Sequence, residues 1–166
     1  LTTRALEALL TMKTDHTEPS TPAPTEQAEP AVQTAAPAPQ ITAFELIGGE
    51  PQLQALTERF YALMDLEPAY AELRATHGST LDEAQQKLFW FLCGWLGGPD
   101  YFVERFGHPR LRARHMPFSI GIKERDQWVA CMDQAMLETG IPGPLRERLH
   151  ESFLNTADWM RNRQGA

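Results

Sequence analysis

With 166 residues the chain is long enough for one ordinary domain and short for two. A net charge of −7 argues against a general nucleic-acid binder, because neutralising phosphates takes clustered excess base. No apolar run is long enough to span a bilayer, and Cys93 and Cys131 make neither a disulfide framework nor a CxxC pair, so they read as buried thiols in a reducing compartment.

The opening LTTRALEALLTMKTD carries an acidic residue inside a short apolar stretch and makes a poor secretory signal, so the cytoplasm is the expected location. The first residue is Leu, and MKTDHTEPS from Met12 looks like a natural start; residues 1–11 are expected to derive from an upstream or alternative start. Pro19, Pro22, Pro24, Pro30, Pro37 and Pro39 crowd the first forty residues among Ala, Thr and Glu. Between Pro19 and Gln40 the only aliphatic side chain larger than alanine is Val32, too little to offset the entropy of ordering. Residues 1–40 are therefore expected to be a disordered extension, and 41–166 the folded domain.

From Ile41 the periodicity is helical. FELIGG predicts a short helix stopped by Gly48 and Gly49. Pro51 opens a second helix with Leu53, Leu56, Phe60 and Leu63/Met64 on one face, fading before Pro68. A weak helical piece in AYAELRATHGS leads to a capping box, Thr80 with Glu83. The helix behind it carries Leu81, Ala84, Leu88, Phe91, Leu92 and Trp95 on its apolar side and stops at Gly97-Gly98-Pro99. Asp100 to Phe118 is broken by Gly107-His108-Pro109 and by Pro117, which predicts short helical pieces. A long helix then runs to about Thr139 with Ile122, Val129, Met132 and Met136 inward and Trp128 alongside. The last places Leu145, Leu149, Phe153, Ala157 and Met160 on one stripe, with Arg161 and Arg163 at its end. No alternating strand pattern occurs, so the fold class is all-α.

Periodicity alone stops at a soluble all-α domain, a helical binder without an assigned ligand. HExxH, a phosphate-cradling glycine loop and a nucleophile elbow are all missing. Three features still need a reason. Tyr61 beside Phe60 and Trp128 on its helix each bring a polar hydrogen to an inward face; core packing with incidental bonds is the plainer account. The helix 81–96 is rich in aromatics. GHPRLRARHMPF, residues 107–118, concentrates arginines and histidines where proline interrupts the helix. An all-α domain can hold a haem between helices, which takes one axial imidazole and cations for two propionates; RLRARH supplies both.

GWLGGP, GHPRLRARHMPF and ERDQWVACM, in that order and spacing, resemble the truncated haemoglobins of group II, from about Phe44 to Asn162. The resemblance implies a two-over-two helical sandwich around haem b, with irregular chain presenting the proximal histidine. His115 matches that ligand, and protons should compete with the iron for it. Tyr61 and Trp128 match distal donors to the iron-bound ligand. His77 matches a position that adds a third donor, the alternative being an exposed loop residue. Ala84 matches a gate that leaves a lateral route to the iron. Leu88, Phe91 and Phe118 line the cofactor, and Lys87 and Arg114 match the cations for the propionates, although Lys87 reads equally as a solvated helix residue. Many relatives have a tyrosine thirteen residues before the proximal histidine; here Phe102 stands there and Tyr101 one place early. His108 is given a turn-stabilising role, and His16 and His150 are expected to be exposed.

The function so implied is binding of O2, CO, NO or peroxide, with tight O2 binding and a possible extension to redox chemistry, NO dioxygenation or peroxide reduction, that needs an external reductase. The alternatives are a non-catalytic store or sensor and a helical interaction domain without cofactor. No nucleic-acid or membrane partner is expected, and the chain is expected as a monomer or homodimer.

Overall fold

The computed structural model describes residues 39–164. The expected extension lies outside the described residues except for its last two, as does His16. Among the described residues there are eight α-helices and one 3₁₀ turn, and no strand. No helix among them is long and apolar enough to cross a membrane.

α1 (Ala43–Ile47) starts at a capping box. The Thr42 hydroxyl accepts the Glu45 N–H at 3.2 Å, and the Glu45 carboxylate accepts the Thr42 N–H at 3.1 Å. Gly48 ends the helix in the left-handed region, φ 111°, which a glycine enters without Cβ strain. α2 (Gly49–Leu66) follows at once. Its Leu53, Leu56, Phe60, Leu63 and Met64 are buried as the spacing requires, each contributing about 1.5–3 kcal/mol on leaving water. Thr57 joins them because its hydroxyl donates to the Leu53 carbonyl at 3.0 Å.

The weak piece beyond Pro68 is a 3₁₀ turn (Pro68–Tyr70) running into α3 (Ala71–Ala75), anchored by buried Tyr70 and Leu73. α4 (Asp82–Trp95) departs from the expectation at its start: Leu81 is the cap and offers no side-chain hydrogen bond. Glu83 turns forward to Lys87 at 2.5 Å, a pairing one helical turn away that outcompetes reaching back to Thr80. The buried residues differ too. Phe89, Leu92, Cys93 and Leu96 enter the core, whereas Leu81, Ala84, Leu88, Phe91 and Trp95 are half-buried. α4 has two apolar faces, one inside the core it shares with α2.

GWLGGP then turns the chain under α1. A Cβ on Gly98 would come within 2.6 Å of the Phe44 ring, so this approach admits only glycine. α5 (Tyr101–Phe106) and α6 (Leu111–His115) are the short pieces expected. α7 (Ile122–Glu138) buries Val129, Cys131, Met132, Ala135 and Met136, with Ile122 half-buried at its start. α8 (Gly143–Trp159) buries Leu149 and Phe153, and Met160 is buried just past its end, while Leu145 and Ala157 are half-buried. His150 is not free in solvent: its Nδ1 lies 2.8 and 2.9 Å from the two Asp133 oxygens. α2 packs on α4 and on α7, and α7 packs on α8, so one helix pair faces another across the α2–α7 contact.

Candidate functional site

The site is built around the broken stretch 107–118. His108 closes its turn: Nδ1 accepts the Arg110 N–H at 3.1 Å and holds Arg110 at φ 45°, an uncommon conformation for a residue with a Cβ. α6 then delivers His115, whose Nδ1 lies 2.6 Å from the Leu111 carbonyl. A carbonyl only accepts, so the imidazole proton resides on Nδ1 and the lone pair on Nε2. That is the tautomer in which a histidine ligates a metal with its second nitrogen fixed by the backbone.

Asn162, just past α8, was not singled out in the sequence. Its side-chain amide donates to the carbonyls of His115 (3.2 Å) and Phe118 (2.7 Å), and its carbonyl oxygen accepts the Ile120 N–H at 3.0 Å. No local pattern signals this role, because the bonds span more than forty residues. Phe118 itself is 47% exposed and is tied in through its backbone, donating to the His115 carbonyl at 3.0 Å.

Tyr61 and Trp128 both pack against the Phe60 ring, with centroids 5.0 and 5.3 Å away. Tyr61 is buried and its phenol is pushed well above its ordinary pKa by that burial, so the hydroxyl keeps its proton. Among the described residues neither this hydroxyl nor the Trp128 indole N–H has a hydrogen-bond partner. Two donors left unpaired on inward faces suit an acceptor brought from outside the chain. His77 stands edge-on to Tyr61, centroids 5.9 Å apart. Its Nδ1 lies 3.0 Å from the Leu73 carbonyl, so neutral His77 also carries its proton there, and Nε2 is an acceptor. Burial lowers its pKa, the Leu73 carbonyl opposes the shift, and the Arg74 charge adds to it.

Lys87 and Arg114 meet at the Phe106 ring, 5.6 and 5.9 Å from its centroid. Arg114 also donates to the Pro109 carbonyl at 2.7 Å. Ala84, Leu88 and Phe91 lie along the half-buried face of α4. A cleft of about 150 Å³ is lined by Phe91, Trp95, Phe102, Val103 and Pro109. Phe102 is buried, with its ring 6.1 Å from that of Phe91. Tyr101 donates its hydroxyl to Glu50. A second, open cleft between α7 and α8, lined by Asp133, Arg146 and His150 among others, shares none of these residues.

One imidazole with a free Nε2, two unpaired inward donors and a pair of cations at one rim fit haem as a donor set. Helix pairs around such a set define a small haem-binding α-domain. The chain belongs to the bacterial-like globin family, whose model it matches over residues 42–162. Group 2 truncated hemoglobin YjbI of Bacillus subtilis (strain 168) is 39% identical over 118 residues, 71% of this chain and 87% of that protein. The group II 2-on-2 hemoglobin of Agrobacterium tumefaciens matches with a TM-score of 0.74 at 41% identity, covering 78% of this chain and 100% of that one. The cold-adapted truncated hemoglobin of Pseudoalteromonas haloplanktis TAC125 gives 0.72 at 43% identity, over 75% and 100%. The two helix pairs are thus the two-over-two layers of a group II truncated haemoglobin, and the family binds O2 and other small ligands through haem.

Proposed function

We propose that residues 41–166 bind haem b through His115 Nε2 and hold O2 tightly by hydrogen bonds from Tyr61 and Trp128, with residues 1–40 outside the functional unit. The observation that carries this reading is the His115 tautomer, fixed by the Leu111 carbonyl at 2.6 Å. Haem b, held by His115 Nε2, would supply an iron able to take O2, CO, NO or peroxide. Lys87 and Arg114 pair with the propionates. Leu88, Phe91 and Phe118 exclude water from the porphyrin faces, and Ala84 leaves a route for small ligands along α4.

The Tyr61 hydroxyl and the Trp128 indole N–H donate to the partial negative charge on a bound diatomic. In a dry pocket each such bond contributes about 1–3 kcal/mol. His77 stands edge-on to the Tyr61 ring with its Nδ1 proton on the Leu73 carbonyl, and its Nε2 becomes a third donor only when protonated. The two donors polarise the ligand and favour redox use, NO dioxygenation or peroxide reduction, over simple storage. A neutral imidazole pushes less electron density than a thiolate, which favours the former of the two. The buried Cys93 and Cys131 suit a reducing, cytoplasmic setting.

Titration with hemin followed at the Soret band is the test. The full chain is expected to saturate at one equivalent, a chain lacking residues 1–40 to do the same, and His115→Ala to lose the ferrous and CO spectra. A folded wild-type chain that stays colourless overturns the reading.

A further inference from the structure

We propose that the outer face of α5 is a docking surface for an acidic one-electron donor protein, an inference that rests on the haem reading above. Residues 101–118 hold Arg105, Arg110, Arg112 and Arg114 against the single carboxylate of Glu104, in a chain with 22 acidic and 15 basic residues. Elsewhere several cations are ion-paired: Arg59 with Glu138, Arg74 with Asp65, Arg125 with Asp126 and Asp158, and Arg161 with Asp158. Among the described residues none of the four arginines of 101–118 has a carboxylate partner. Aromatic rings and carbonyls hold them instead. The Arg105 guanidinium lies 4.3 Å from the Trp90 ring and donates to the Tyr101 carbonyl at 3.0 Å. Arg114 lies 5.3 Å from the Phe102 ring. Such contacts orient a guanidinium and leave its charge in place.

Between these cations Val103 and Phe106 are 45% and 39% exposed. An apolar centre with aromatic and arginine neighbours inside a charged rim is the anatomy of a protein interface. With Arg114 assigned to the propionates, Arg105, Arg110 and Arg112 remain for the partner, and three arginines with little apolar area suit the small, transient and salt-sensitive encounters of redox proteins. The overall charge of −7 repels an acidic partner from other approaches, so this face selects the orientation of docking.

The chemistry of the site names the partner. Lys87 and Arg114 meet at Phe106, so under the haem reading this face would adjoin the propionates that those two cations would hold. Returning ferric iron to its O2-binding ferrous form takes one electron. It leaves the reduced iron–sulfur centre of the donor, which is oxidised, and enters the iron; no bond is made or broken. A duplex or a membrane would use the cations and leave this location unexplained.

The test uses the full-length, haem-loaded chain with an acidic [2Fe–2S] ferredoxin as probe, and reads association by calorimetry at low and high salt. Binding is expected at low salt and should weaken about tenfold or more once the screening length falls well below about 10 Å. R105E/R110E should weaken it about tenfold at low salt, with the Soret band and helical circular dichroism unchanged. Should that variant lose its helical spectrum, R105Q and R110Q singly serve, each weakening binding about threefold. Equal affinity of variant and wild type overturns the proposal, as does tighter binding of phosphatidylserine vesicles or duplex DNA than of ferredoxin. A failed hemin titration of the wild type strikes the haem reading, through a signal these arginines do not carry.

Discussion

Asn162 holds His115 in place without touching its ring: its amide donates to the main-chain carbonyls of His115 and Phe118 at 3.2 and 2.7 Å. The loop between α6 and α7 is thereby clamped to the end of α8, and the imidazole of His115 is aimed by a residue 47 positions away. Asn162→Ala should leave the helices intact but cost about 1.5–4.5 kcal/mol of stability, the sum of three ordinary hydrogen bonds. Transfer of haem to an apoglobin scavenger should accelerate about tenfold or more, and Asn162→Asp, which keeps only the acceptor for the Ile120 N–H, should fall between. Unchanged transfer would mean that Leu111 alone positions the ring.

Tyr61 and Trp128 both pack against Phe60, and a change to Phe keeps an aromatic ring at either position. Tyr61→Phe and Trp128→Phe should each raise the O2 dissociation rate about tenfold or more, since each removes a bond to a partly charged acceptor. Stopped-flow displacement of O2 by CO measures this. Two rates indistinguishable from wild type would leave both residues as packing.

Burial is the main reason that His77 titrates below the ordinary imidazole value; the Leu73 carbonyl opposes the shift, and the charge of Arg74 reinforces it. As pH falls, the unfolded chain therefore takes up this proton before the folded one. The stability linked to His77 is fully present above the usual imidazole pKa of about 6.5, and is lost as pH drops from there toward the folded-state value. Urea unfolding at about pH 7.5 and about pH 5.5 should show a larger loss in wild type than in His77→Phe. Equal losses would assign the acid sensitivity elsewhere.

Gly98 and Phe44 form a contact with no spare room, 2.6 Å between a would-be Cβ and the ring. Gly98→Ala should destabilise by about 1–3 kcal/mol as Phe44 is displaced. In a Phe44→Ala background the same change should cost far less, a non-additivity that thermal unfolding of the four proteins would reveal.

The linear chain determined the helices, because propensity, proline and glycine act over a few residues: α1 stops at Gly48, α4 at GWLGGP, and 107–118 breaks at Pro109. Three motifs in order also carried the family resemblance, with His115 and Trp128 inside two of them and Tyr61 outside all three. Which face of α4 turns inward was decided only by folding. Apolar side chains nearly encircle that helix, so spacing chose Leu81, Ala84, Leu88, Phe91 and Trp95, while packing with α2 buried Phe89, Cys93 and Leu96. Thr80 and Glu83 have capping-box spacing, yet Lys87 takes the carboxylate. The clamp of Asn162 on His115, the proton on His77 Nδ1 and the turn of Tyr101 toward Glu50 likewise rest on partners whose positions the tertiary structure sets. Periodicity reports what lies three or four residues away; a carbonyl or carboxylate delivered by another helix leaves no local trace.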